Sequence, residues 1–274
     1  MVPAASLIFM GLCLVISFAI PFGLLIYLAV KKKAHVMPFF VGCAVMILFA
    51  FILENLVHRA VLASSIGESI RGNILLYALY GGLMAGIFEE CGRWIAMKTV
   101  LKKHLDRNVN AFMYGAGHGG IEAIMILGIA SINNLTYSVL INTGQTALLT
   151  GSVPPELAGQ VEAAVTTLQT TPSWHFLMGG AERIFAIILH LALSVFVWFA
   201  VKNKNRRYLF PYAILVHALV DGATVILSEK DLPIYVLEAV VAVLALAAFF
   251  SALRIYRKEE AENAAPEEPG TAQG

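Results

Sequence analysis

The chain has 274 residues, 59% hydrophobic and 14% charged, where soluble domains carry roughly 25% charged residues. That composition, with several apolar runs long enough for the ~20 residues a bilayer crossing needs, excludes an ordinary soluble domain and indicates a polytopic membrane protein. A formal net charge of +1 offers no basic field for nucleic acid, and three cysteines lying in apolar runs are too few for a disulfide framework.

The first predicted span covers roughly residues 5–30. No Lys or Arg precedes it and Lys31, Lys32 and Lys33 follow it, the reverse of a signal peptide's charge order. The second, roughly 37–57, ends near Glu54, Asn55, His58 and Arg59, which read as a solvated helix end. The third, roughly 74–97, contains GIFEECGRWIAM, with Glu89, Glu90 and Arg93 inside an apolar run. The fourth, roughly 110–131, reads GAGHGGIEA around His118 and Glu122.

Residues 132–173 then form a predicted extracytoplasmic loop without Lys or Arg. In it Leu157, Val161, Val165 and Leu168 recur at helical spacing after Pro154 and Pro155, the pattern of a short amphipathic helix. The fifth span, roughly 175–201, carries Glu182, Arg183 and His190; the sixth, roughly 209–228, His217 and Asp221; the seventh, roughly 233–254, Glu238 near its start. Residues 259–274 are acidic and lack aromatics, so they read as a disordered cytoplasmic tail.

The expected fold is all-α: one polytopic transmembrane helical domain over 1–258, with about seven spans. Placing the first loop inside puts 14 Lys and Arg in cytoplasmic segments against 3 outside, with Arg93 and Arg183 left within spans. By the positive-inside rule the N-terminus lies out and the C-terminus in.

An ionisable side chain in hydrocarbon costs about 2.5–3.5 kcal/mol on insertion scales. Here such groups concentrate in spans three to six, as they would around one buried site. Both Glu89 and Glu90 are within one helical turn of Arg93, at i,i+4 and i,i+3. Two carboxylates with one guanidinium leave one without a full partner, the condition for a general base. Because Glu89 shares the i,i+4 face with Arg93, the spacing favours Glu90 as that base. His118 and Glu122, and likewise His217 and Asp221, are i,i+4 pairs; Arg183 and His190 share a face at i,i+7. Glu182 and Arg183 lie nearer the outer end, as a gate or a structural pair. Glycines around these groups let helices approach closely, as they do in many membrane proteins.

Three chemistries fit this set. Three histidines with carboxylates suit a catalytic zinc site, although the H-E-x-x-H pattern of soluble zincins is absent. The same groups could work without metal, with Glu activating water and His steadying an oxyanion. They could also relay protons in a transporter, a reading weakened by the lack of any internal repeat.

EExxR on one span, H-x-x-x-E on the next, a single His on the following one and HxxxD (His217 to Asp221) resemble the CPBP superfamily of type II CAAX prenyl proteases, Abi proteins and PrsW proteases. EECGR is one residue shorter than that superfamily's EExxxR, and His118 stands where its second motif has Phe. The variant, with GHGGIE and a later ER…H, resembles the YhfC family of intramembrane metalloproteases. The resemblance implies a membrane-embedded peptidase open to the cytoplasmic side, with Glu89 or Glu90 activating water. It implies metal binding or oxyanion stabilisation by His118, His190 and His217, with Arg93, Glu122 and Asp221 completing the site. The reading is thus an intramembrane peptidase of a bacterial plasma membrane, with zinc as candidate cofactor and a membrane protein or peptide as substrate. The competing classes are an ion- or proton-coupled transporter and a non-catalytic membrane scaffold.

Overall fold

A computed structural model describes residues 1–264 apart from Ser152 and Asp231. The described residues form helices and connecting turns, without strands. In chain order they are α1 (Ala4–Val30), α2 (Met37–Leu62), α3 (Ser65–Arg71), α4 (Ile74–Lys98), α5 (Asn110–Asn142), α6 (Ala147–Gly151), α7 (Ala158–Thr170), α8 (Ser173–Lys202), α9 (Leu209–Ser228) and α10 (Ile234–Ala264). Seven of them, α1, α2, α4, α5, α8, α9 and α10, are long and apolar enough to cross a membrane.

Local sequence sets their ends. Asn73 caps α4, its side-chain oxygen accepting from the backbone N–H groups of Leu75 (2.9 Å) and Leu76 (3.2 Å). Pro38 occupies the first turn of α2, where its missing N–H costs nothing. Two spans widen into π-turns, α2 over Ile47–Glu54 and α5 over Ile124–Gly128. Such turns often sit beside functional sites, and the second begins two residues after Glu122.

The centre of the bundle is α8, which packs against α1, α4, α5, α9 and α10. Every residue from His190 to Ala200 is buried, so this stretch meets protein on all sides rather than lipid. Phe196, Trp198 and Phe199 join Met97, Tyr114, Leu193 and Leu209 in the main apolar core. The closest pairings around it are α4 with α9 and α2 with α5.

Three segments add to the sequence reading, and in the second the expected short helix is present as α7. The fourth span does not stop near 131. No Pro or Gly interrupts residues 132–142, and they continue α5 while burying Ser138 and Ile141. In the following segment α7 buries Val161 and Leu168 against Val2, Met10, Ile141 and Leu149. Its apolar face is thus taken up by the ends of α1 and α5. Third, α10 runs through Ala264, so Glu259–Ala264 of the expected tail are helical. Glu259 accepts from Arg206 Nε at 2.7 Å, and Lys258 lies 3.8 Å from Glu262 one turn on. The rest of that tail, 265–274, lies outside the described residues.

Candidate active site

The polar residues of α4 reach their neighbours because the helix presents glycines on the same side. A Cβ on Gly86 would stand 2.7 Å from the Ile214 carbonyl oxygen, and one on Gly82 would strike that of Ala218. With no side chains there, α9 closes on α4 and brings His217 to Glu90. A Cβ on Gly119 would stand 2.9 Å from His190 Cβ, so that glycine likewise sets the separation of α5 from α8.

The result is a buried cluster. Glu90, Arg93 and His118 have no solvent exposure, and Glu89, His190 and His217 are also buried. Arg93 Nη1 donates to both oxygens of Glu90, at 2.9 and 3.1 Å. Glu90 Oε1 also faces His217 Nδ1 at 2.8 Å. Arg93 Nη2 lies 3.4 Å from Glu89 Oε2 and donates to His190 Nδ1 at 2.6 Å. The spacing argument is therefore reversed. Arg93 and His217 clamp Glu90, whereas Glu89 keeps only the long contact to Arg93. An i,i+3 partner wins here because His217 approaches from the same side and completes the clamp.

Glu89 lies instead among the three imidazoles. His118 Nε2 is 2.9 Å from its Oε2, His190 Nδ1 is 3.9 Å from the same oxygen, and His217 Nε2 is 3.8 Å from Oε1. One carboxylate oxygen is turned to His118, His190 and Arg93, the other to His217.

Hydrogen-bond roles assign the protons. Arg93 can only donate, so His190 Nδ1 accepts and its Nε2–H donates to Glu122 Oε2 at 2.5 Å. Glu122 Oε1 accepts from Arg183 Nη1 at 2.6 Å, and Arg183 also pairs with Glu182. Glu122 thus bridges two residues of α8 rather than bonding its own-helix neighbour His118. Asp221 Oδ2 stands 3.5 Å from His217 Nε2. All ten residues singled out by sequence are hence linked, Glu182 and Arg183 through Glu122.

Tyr114 was not foreseen. Its ring stacks on His118, centroids 5.7 Å apart, and its buried hydroxyl has no partner; the i,i+4 spacing of the two residues was the available signal. Glu54 and His58 also differ from the solvated end expected. Glu54 is buried and bonds His58 Nε2 at 3.0 Å, while His58 Nδ1 meets the Tyr80 hydroxyl at 2.9 Å.

A cavity of about 340 Å³ leads away from this cluster. Glu89, Glu122, His190, His217 and Asp221 face it, whereas Glu90, Arg93 and His118 lie behind them. The wall is completed by Glu182, Arg183 and apolar residues including Phe185, Leu189 and Val220.

Among the described residues Glu89, His118 and His190 form a buried group whose ligand atoms lie within 4.8 Å of one another. Two imidazoles and one carboxylate are a donor set of catalytic zinc, and the His118 nitrogen turned to the group is Nε2, 2.9 Å from Glu89 Oε2. Glu122 on the far nitrogen of His190 is the carboxylate that commonly orients a metal-ligating imidazole. The donor types fit a divalent metal, and His190 Nδ1 would exchange the Arg93 Nη2–H it accepts here for the ion.

The model of the YhfC intramembrane metalloprotease family matches residues 16–243. The chain is also 37% identical over 259 residues, 93% of its length and 96% of the relative's, to "Uncharacterized membrane protein YhfC" of Bacillus subtilis (strain 168). No solved structure matches the chain at a significant level. The chain is an integral membrane protein and belongs to the YhfC family.

Proposed function

We propose that this YhfC-family protein is an intramembrane peptidase of a bacterial plasma membrane, using Glu89 to activate water. The observation that carries the reading is the position of Glu89. Among the described residues it is the one carboxylate that both faces the cavity and contacts the three buried histidines His118, His190 and His217. Its neighbour Glu90 has the opposite surroundings, shut away and held by Arg93 and His217.

In this reading a water in the cavity gives its proton to Glu89 as its oxygen adds to the scissile carbonyl carbon. The carbon–nitrogen bond then breaks, and Glu89 returns the proton to the departing amine. His217 directs Nε2 toward Glu89 and Asp221, where its protonated form would steady the tetrahedral oxyanion. Asp221 and Glu90 fix that ring from its two nitrogens, and Glu122 fixes His190. The family name and the Glu89–His118–His190 group support a metal, which we take to be zinc: His118, His190 and Oε2 of Glu89 would hold it, leaving Oε1 as the proton acceptor, and it would supply a Lewis acid and an activated water.

The test is a comparison of membrane-protein N-termini in cells expressing either the wild-type chain or Glu89→Gln. New termini that arise with the wild type and vanish in the variant support the peptidase. Identical profiles at equal protein levels overturn it.

A further inference from the structure

The family resemblance implies access from the cytoplasm, but the cavity runs the other way. On each of four helices its lining extends from the cluster toward the same end of the bundle, to Gly81 on α4, Ile126 on α5, Glu182 on α8 and Val225 on α9, and Val241 of α10 completes it. Gly81 is eight residues from Glu89, which is about 12 Å along a helix. That end of the bundle carries α3, α7 and the turn after α9.

Toward the opposite end it has no continuation among the described residues. Met97, Tyr114, Leu193, Phe196 and Ala213 have no solvent exposure and close the bundle beyond the cluster with packed apolar side chains. A second cavity at that end, lined by Cys91, Trp94, Lys98 and Phe210 among others, touches none of the cluster residues.

Charge fixes which end is which. Segments at the closed end hold 14 Lys and Arg, including Lys31 to Lys33, Lys102, Lys103 and Arg206; those at the open end hold Arg59, Arg71 and Lys230. Basic loops stay in the cytoplasm. We propose that an extended polypeptide segment enters this site from the extracytoplasmic side, through the cavity between α4, α5, α8, α9 and α10.

The lining suits that occupant. Hydrolysis needs a bond whose backbone is not locked in a helix, and exposed backbone at membrane depth is tolerated only where it is covered by protein or meets water. Glu122, Arg183, Glu182 and Asp221 make one side of the cavity polar, and Phe185, Leu189 and Val220 give apolar contact to side chains.

Only the nature of the occupant rests on the peptidase reading; the direction of access can be measured without cleavage. In a chain with Cys13, Cys43 and Cys91 replaced by Ala, Thr224→Cys marks the cavity and Lys204→Cys marks the cytoplasmic end. Each is treated with a sulfonated, membrane-impermeant maleimide in right-side-out and in inside-out vesicles. The expected result is modification of Thr224→Cys in right-side-out vesicles and of Lys204→Cys only in inside-out ones. Modification of Thr224→Cys only from the cytoplasmic face, or of Lys204→Cys from outside, overturns the proposal. Val225→Cys, on the same wall, is read in the same way if Thr224→Cys does not yield folded protein. A failed peptidase would leave this labelling pattern intact, so the two ideas fail separately.

Discussion

Glu89 and Glu90 are adjacent on α4, yet the cluster treats them as opposites. Both oxygens of Glu90 accept from Arg93 Nη1, within 3.1 Å, and His217 Nδ1 adds a third contact at 2.8 Å. Glu89 meets Arg93 at only 3.4 Å and faces the cavity. One is pinned inside the bundle and the other opens on the cavity.

Substitution should separate them. Glu89→Gln is expected to lower cleavage by about 10²–10⁴-fold, the usual range for losing a general base, with little change in thermal unfolding in detergent. Glu90→Gln leaves the buried Arg93 charge underpaired and is expected to cost about 3–5 kcal/mol of stability. Unfolding midpoints and cleavage rates of both variants check this. A stable, inactive Glu90→Gln beside an active Glu89→Gln would reverse the assignment.

In the proposed reaction Glu122 acts through His190, to which it is hydrogen-bonded. Glu122→Gln is expected to reduce activity by about 10–100-fold, as when a carboxylate partner of a ligating or catalytic imidazole is lost. A merely structural role predicts a lower melting point with unchanged turnover per folded molecule. Turnover normalised to folded protein, with Glu122→Asp as a rescue attempt, distinguishes the two.

Metal analysis tests the zinc reading. The purified wild type is expected to hold zinc in a stoichiometric amount, and His118→Ala and His190→Ala to lose it. Elemental analysis after dialysis gives the ratio. An actively cleaving preparation without metal would leave Glu89 working alone.

The approach of α4 to α9 depends on small residues. Gly86→Val places side-chain atoms against the Ile214 carbonyl, 2.7 Å from the position of its Cβ, and is expected to cost about 1–3 kcal/mol with loss of activity. Gly11→Val, where a Cβ meets nothing within 4 Å, should leave both near wild type. Equal unfolding midpoints for the two variants would show that the α4–α9 spacing is not set at Gly86.

Much of the bundle was legible because lipid imposes a simple rule of long apolar runs, and the seven spans follow it. The convergence of four helices was also readable, since buried charge is too costly to scatter. What could not be read is how those groups pair once the helices meet. Spacing alone puts Arg93 within reach of either glutamate, and the choice comes from α9 delivering His217. Likewise His118 and Glu122 share a face, but Glu122 turns to Arg183 and His190 because α8 offers both on one side. Glu54 looked solvated because nothing in its neighbourhood announces Tyr80, which holds His58 from a different helix.

The run from His190 to Ala200 has a consequence for the bilayer itself. It makes the cavity a blind-ended well. Water can stand beside Glu89 partway through the membrane, but beyond Glu90, Arg93 and His118 the described residues next along the bundle are mainly apolar, among them Met97, Leu193 and Phe196. A cell could therefore hydrate a site at this depth without discharging the electrochemical gradient across the same membrane.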